Sequence, residues 1–242
     1  VLSSSGPGNL VIGNWVGITS DGASPLGNSR QCGSPGISLN TYDVVAIAEG
    51  NLSSGNCGPG IDLCGDYNFA ISNHIGTDIS LSRPLPNDGA GIRVRGEHNL
   101  AQANLVAYSW TAAGIEVYLW PHNSLRRNSI FGNAGPGIRL IDGGNQMLPA
   151  PLMLTVTETS VSGTACPGCT VEVFSDAEDE GRVYEGSAVA SAAGTFSFTK
   201  PTGLTGPFIT ATATDSEGNT SEFSAPVARP VKVYLPIVLR GH

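Results

Sequence analysis

Charge is scarce in this chain. Only 13% of its 242 residues are Asp, Glu, Lys or Arg. No stretch repeats apolar residues at the helical period, so amphipathic helices are not expected. No apolar run reaches the roughly 18 residues that a membrane-crossing helix needs. A nucleophile elbow, a phosphate-cradling loop and a His-rich metal spacing are all missing, and with them the motifs of the common hydrolases and nucleotide-binding enzymes. There is one Cys-x-x-Cys, Cys166 to Cys169, and no second. A zinc site built from paired knuckles is therefore excluded. The first residue is Val1 rather than Met, with no signal-peptide pattern after it, so a processed chain or a fragment is expected. A net charge of −8 argues against nucleic acid and anionic membranes as partners.

What the chain has is a repeat. Gly-Ile-x-Leu/Val occurs at Gly36, Gly60, Gly91, Gly114 and Gly137, at intervals of 24, 31, 23 and 23 residues. Fixed-period self-similarity marks a repeat architecture. A period near 23 with β-branched residues and no helical pattern predicts coils of a parallel β-helix. A second ladder keeps phase with the first: Asn9 and Asn14, Asn68 and Asn73, Asn99 and Asn104, Asn123 and Asn128 are each five apart, and the second coil carries Ala46 and Asn51. Each coil then reads as a Gly-Ile-x-Leu strand, a corner, an Asn strand, a corner and an Asn-x-aliphatic strand. Period-2 alternation turns Ile37, Ile61, Ile92, Ile115 and Ile138 inward as one column and the x residues outward. Asn tolerates left-handed corners, and stacked Asn amides can hydrogen-bond from coil to coil. The alternative is a Gly/Asn-rich array of hairpins.

Two coils carry extra loops. Asn73-His74-Ile75 runs into Gly76-Thr77-Asp78 and a polar loop to Gly91, which accounts for the long interval; Val16-Gly17-Ile18-Thr19-Ser20-Asp21-Gly22 opens a similar loop. In these segments the chain resembles bacterial right-handed β-helix repeat proteins, over roughly residues 8–146. The resemblance implies the fold and leaves function open, because such repeats occur in adhesins, lyases and proteins with no known activity.

Around residue 147 the texture changes. Residues 147–151 (Met-Leu-Pro-Ala-Pro) form a linker by composition. Short strands follow over 152–228, read as Met153–Val161, Thr170–Ser175, Val183–Ser191, Thr195–Thr199, Phe208–Thr214 and Ser221–Val227. They predict a small β-sandwich. Residues 211–224 look like the last hairpin of bacterial immunoglobulin-like domains of surface proteins, which implies a spacer or adhesion role. Residues 229–242 are similar to tails that close many secreted bacterial proteins. The fold expected is all-β: a right-handed parallel β-helix over 1–146, an Ig-like sandwich and a C-terminal tail strand.

Five cysteines fit an oxidising compartment, hence an extracellular or cell-surface location. Cys32 and Cys57 fall at nearly the same place in successive coils about 4.8 Å apart, so a Cys32–Cys57 disulfide is expected. Cys166 and Cys169 span a turn and suit a short hairpin disulfide; Cys64 is left over, free or bridging if Cys57 pairs with it instead. Outward x positions Ser38, Asp62, Arg93, Glu116 and Arg139 form an alternating charge ladder. With the stack Tyr67, His98 and His122, Arg93 and Glu116 make a candidate glycan surface; plain ladder pairing of opposite charges explains the same residues. No catalytic residue is nominated and no cofactor is expected, except calcium if Asp176, Glu178, Asp179 and Glu180 converge; a solvated acidic turn is the alternative.

Three functions fit these features: a self-assembling surface filament or sheath, a glycan-binding adhesion module, or a polysaccharide lyase or hydrolase fragment. The first follows from the ends of the rod. The ladder begins near residue 8 with no capping helix, and an uncapped coil offers unpaired backbone to another chain; truncation leaves the same open end. At the other end Val231, Val233, Tyr234, Leu235, Ile237 and Leu239 form an apolar strand suited to addition to a neighbour; an extra strand of its own sandwich is the alternative. The segment 229–242 carries +3 against −8 for 151–228, which favours attraction between the two. Further copies of the chain, and surface polysaccharide, are the partners expected.

Overall fold

The structure is a computed structural model that describes residues 2–4, 8–28 and 33–230, with backbone alone for 2–4. Two domains are all-β. In the first, the chain winds through three parallel sheets. Sheet A contains β1 (Leu2–Ser4), β4 (Ile37–Thr41), β7 (Ile61–Gly65), β10 (Ile92–Arg95), β13 (Ile115–Tyr118) and β16 (Ile138–Ile141), in that spatial order. Sheet B orders β2 (Leu10–Ile12), β5 (Ala46–Glu49), β8 (Asn68–Ile71), β11 (Leu100–Gln102) and β14 (Ser124–Arg126). Sheet C orders β3 (Trp15–Val16), β6 (Leu52–Ser53), β9 (His74–Ile75), β12 (Leu105–Ala107) and β15 (Ser129–Phe131). Each coil passes A, B, C and returns, a right-handed parallel β-helix.

The isoleucine column forms as the alternation requires. Ile37, Ile61, Ile92, Ile115 and Ile138 are successive register partners. All are at most 3% exposed. Leu39, Leu63, Val94, Val117 and Leu140 make a second column beside it. Burying each such side chain contributes roughly 1.5–3 kcal/mol, which is what holds short strands without helices to cover them.

The asparagine ladders also form, with one correction about where the strain sits. Asn51, Asn73 and Asn104 each donate both backbone N–H and Nδ2 to Oδ1 of the next ladder residue, at 2.9–3.0 Å. Where Ala46 interrupts the first ladder, the Thr41 hydroxyl donates to Asn68 Oδ1 at 2.6 Å. The left-handed corner residue precedes the ladder Asn. Tyr67, His98 and His122 have φ of 57°, 56° and 62°, and Ser72, Ala103 and Arg127 of 54°, 55° and 52°. The turn falls one residue earlier because the Asn side chain must point inward to reach its neighbours.

A third ladder escapes the five-residue spacing. Asn56 donates to Asn87 Oδ1, and Ser109 N–H to Asn133 Oδ1, at 2.9–3.0 Å. Its signal is Asn four residues before the repeat glycine, at Asn56, Asn87 and Asn133.

A turn at Gly144–Met147 ends the rod, and Asn145 Oδ1 continues the first ladder by accepting from Asn123 N–H. The second domain is an antiparallel sandwich, with seven strands among the described residues. Sheet F orders β17 (Leu152–Val156), β18 (Ser160–Thr164) and β21 (Thr195–Thr199); sheet G orders β20 (Val183–Val189), β19 (Thr170–Asp176), β22 (Phe208–Thr214) and β23 (Val227–Ala228). Val161, Val171, Val173, Ile209 and Ala211 are fully buried between the sheets.

Two strand expectations and the setting of one disulfide need correcting. Met153–Val161 is two strands, because Thr157 Oγ1 accepts from the N–H groups of Thr159 and Ser160 and turns the chain. Ser221–Val227 is a strand only at its end. The Ser221 and Ser224 hydroxyls accept the Ala213 and Ala211 N–H groups and close that edge of β22 with side chains. The Cys166–Cys169 disulfide sits where β18 of one sheet passes to β19 of the other, not in a hairpin. Cys57 is disulfide-bonded, and its expected partner Cys32 lies outside the described residues. The nominated tail residues Val231, Val233, Tyr234, Leu235, Ile237 and Leu239 lie outside them too. Cys64 is free.

Candidate functional site

The last coil of a β-helix presents backbone N–H groups that no further coil can satisfy, and leaving them buried and unpaired is costly. Here the sandwich supplies acceptors around the whole perimeter. His122 N–H donates to Asn219 Oδ1, Leu125 N–H to Thr220 Oγ1, Arg127 N–H to Glu172 Oε2 and Leu140 N–H to Glu222 Oε1, at 2.6–2.9 Å. Ile130 and Gly181 exchange both backbone bonds as an antiparallel bridge. Asn133 N–H and Nδ2 reach Glu180 Oε2 and Oε1 at 3.2 and 2.9 Å. Glu180 thus acts as the final rung of the third ladder. Phe223 packs against the rod core and stands edge-on to Phe174, 5.4 Å between centroids.

Electrostatics at this joint are unusual. Burial pushes the Glu180 carboxyl up to about 7 against the pull of the Asn133 hydrogen bonds, and neighbouring Asp176 and Asp179 push the same way. Burial also raises Glu172 and Asp176. The acidic turn is therefore split: Glu180 faces the rod, Asp176 is nearly buried, and Glu178 and Asp179 are exposed. Among the described residues these side chains do not form a group of three able to hold a metal ion.

The candidate glycan surface divides between two places. On the outward face of sheet A, Asp62 is 2% exposed. Arg93 grips it at 3.0 and 2.9 Å, Arg95 at 3.2 and 2.5 Å. Burial raises the Asp62 carboxyl, but the two guanidinium forks outweigh it and hold it below its usual range. Glu116, 8% exposed, accepts from the Tyr118 hydroxyl at 2.9 Å and pairs in register with Arg93 and Arg139. Arg93 and Glu116 line a groove of about 300 Å³ with Asp88 and Thr111. Among the described residues the ion pairs on this face are those of Asp62 with Arg93 and Arg95.

Tyr67, His98 and His122 stand at the corner between sheets A and B. Their rings stack face to face at 4.9 and 5.0 Å, tilted by 11° and 9°. Stacking covers both faces of His98 and one face each of Tyr67 and His122, ring surface that a sugar would otherwise use. Tyr42 and Trp120 flank this corner and remain exposed. The sequence reading missed a third place. Trp110, 67% exposed, rises from a groove of about 350 Å³ lined by Pro84, Pro86, Tyr108, Ser109 and Asn133. Pro84 and Pro86 belong to the loop that stretches the repeat, so the irregular interval was its only signal.

Compared with known families, residues 26–175 match the model of the right-handed β-helix region, and residues 148–229 that of a bacterial Ig domain. The two overlap over 148–175, where the strands belong to the sandwich. No curated protein matches the chain. No described helix is long and apolar enough to cross a membrane.

Proposed function

The chain belongs to the right-handed β-helix family and carries a bacterial Ig domain, a pairing that fits a surface or extracellular protein, and we propose that it is a non-enzymatic structural subunit of an extracellular filament or sheath. The observation that carries this reading is the closed joint. With acceptors for the last coil coming from four points of the sandwich chain, around Glu172, Glu180, Asn219 and Glu222, rod and cap behave as one rigid body. A rod sealed in this way cannot lengthen through its own final coil. Subunits then join head to tail through the sandwich and residues 231–239, by strand addition, a contact that does not close on itself. The engagement of Arg93 and Arg95 by the one buried carboxylate of Asp62 favours a structural over a catalytic role for the charge ladder. Negative-stain microscopy of the full chain beside a form lacking residues 230–242 tests this. Filaments from the first and single particles from the second are expected; equal assembly of both removes the tail as connector.

A second reading, a glycan-binding adhesion module, is favoured by Trp110. An exposed indole in a groove shared with Pro84 and Pro86 and without charged walls suits a neutral sugar ring better than an acidic one. Retention on neutral polysaccharide that disappears with Trp110→Ala supports this second reading. Release of reducing ends or unsaturated products in the same mixtures would instead revive the lyase or hydrolase alternative.

A further inference from the structure

The loop that stretches the repeat to 31 residues between Gly60 and Gly91 is held at many points. Asp78 accepts from the Ser80 hydroxyl at 2.8 Å and from the Ser82 and Arg83 N–H groups at 3.1 and 3.2 Å. Leu85 packs with Ile18 and Leu52. Asn87 accepts the Asn56 N–H and amide and donates its own amide to Ser53 O. A loop pinned in this way is a preformed wall. Its Pro84 and Pro86 line one cavity and its Asp88 another.

The two cavities are neighbours. Trp110 lines the first, of about 350 Å³, and Thr111 the second, of about 300 Å³. Trp110 N–H donates to Asn87 O and Ala134 N–H to Ser109 O, so Asp88, Trp110 and Ala134 hold one position in successive coils, about 4.8 Å apart. The Thr111 hydroxyl donates to Asp88 O and ties the two coils at this point. An exposed carboxylate and an exposed indole therefore stand one coil apart. On the other side of the indole, Gly132 and Ala134 are small and leave space in the first cavity. Each cavity alone lies near the lower end of the roughly 300–1,000 Å³ range of ligand sites; joined across Trp110 and Thr111 they reach its middle.

We propose that the two cavities are one groove for an extended neutral polysaccharide chain, with one ring on Trp110 and the next at Asp88. The inference rests on the adhesion reading of Trp110 and deepens it from a single ring to a chain. A sugar ring is apolar on its faces and polar at its rim. Trp110, with Pro84 and Pro86, takes the face of one ring. Asp88, with two acceptor oxygens, takes hydroxyls at the rim of the next. The other charged groups of the second cavity are engaged: Arg93 grips Asp62, and Glu116 accepts the Tyr118 hydroxyl. Asp88 is thus the charge that an incoming ring meets, and it repels a carboxylated sugar. The N–H groups of Gly89, Trp110 and Ala134 are spent coil to coil, so this corner does not offer a peptide the strand edge it would add to.

The test is calorimetric titration of the full chain with oligosaccharides of one to six rings from cellulose, chitin and mannan, with oligogalacturonate as the acidic control. Affinity for at least one neutral series should rise by tenfold or more between one ring and four. Trp110→Ala should abolish binding at every length. Asp88→Ala should cost about tenfold on the longer oligomers and little on one ring. Both residues are exposed, so the melting temperatures should stay within about 2 °C of the wild type. Binding that does not depend on length, or an Asp88 variant equal to the wild type on every oligomer, overturns the joined groove and leaves the Trp110 reading standing. Stronger binding of oligogalacturonate overturns the neutral assignment. If the wild type binds no neutral oligomer, the groove and the adhesion reading beneath it both fall.

Discussion

The rod and the sandwich solve the same problem by different means. Each must satisfy backbone groups in short strands without helices. The rod does it by translation: every coil hands its N–H groups and its Asn amides to the next, and one column of isoleucines fills the interior. The sandwich does it by facing two sheets, and it repairs its irregular edges with hydroxyls, Thr157 at a turn, Ser221 and Ser224 beside β22. A repeated solution has a repeated failure mode. One broken rung in the rod leaves its neighbours on both sides unmet, whereas one lost hydroxyl in the sandwich leaves a single donor.

The sharpest way to break the comparison is at the centre of the rod. Ile92 is fully buried between Ile61 and Ile115. Ile92→Asp removes roughly 1.5–3 kcal/mol of burial and adds the cost of a buried carboxyl with no partner, several kcal/mol more. Loss of the rod's calorimetric transition is expected, with a sandwich transition surviving at lower temperature because its cap has lost its seat. A single unchanged transition would mean that the column does not carry the rod's stability.

A smaller effect separates ladder from hydroxyl repair. Asn104 Oδ1 accepts the Asn73 N–H and Nδ2, and its own Nδ2 donates to Ala70 O and Asn128 Oδ1. Asn104→Ala leaves several buried groups unmet, at about 1–3 kcal/mol each. Ser224→Ala leaves the Ala211 N–H, a single loss of that order. Urea titrations should place the Asn variant well below the Ser variant; equal midpoints would deny that ladder rungs are coupled.

The difference also decides what could be read from the sequence. Translation writes itself into the chain as Gly-Ile-x-Leu and paired Asn, so the coils, their register and the inward column were legible. The sandwich was legible as strands and turns, but Thr157 and Ser221 look like ordinary strand residues until their hydroxyls are seen to replace backbone partners. The joint left no period. Glu172, Glu180 and Glu222 are spread through loops and strands of the acidic domain, and only their placement opposite Arg127, Asn133 and Leu140 reveals a task. For the same reason Glu180 was read as a calcium candidate or a solvated turn. The two halves of the candidate glycan surface are each adjacent in coil order, which the repeat predicts; that they lie at different places on the coil, and that Asp62 neutralises Arg93, depends on side-chain direction.

A graded effect, set by pH and not by a lost side chain, sits where the two domains meet. Glu180, 4% exposed, holds the Asn133 backbone and amide with a carboxyl whose pKa burial lifts to about 7. Asp176 and Asp179 face it from its own turn and raise it further. A carboxyl raised by folding binds its proton more tightly in the folded protein than in the unfolded chain. Its contribution is therefore fully present below the ordinary glutamate range and is lost as pH rises toward 7. The joint should weaken between about pH 4.5 and 7, by at most about 1.4 kcal/mol per pH unit. Glu180→Gln keeps an acceptor for Asn133 and cannot ionise. In calorimetry from pH 5 to 8, the wild-type melting temperature should fall with pH, and the Gln variant should show a flatter profile and exceed the wild type at pH 8. Glu172 and Asp176, also raised by burial, leave it a residual slope of the same sign. Should the Gln variant keep the full wild-type slope, the pH dependence belongs to those two groups, and Glu180 is a rung of the ladder without being a titrating one.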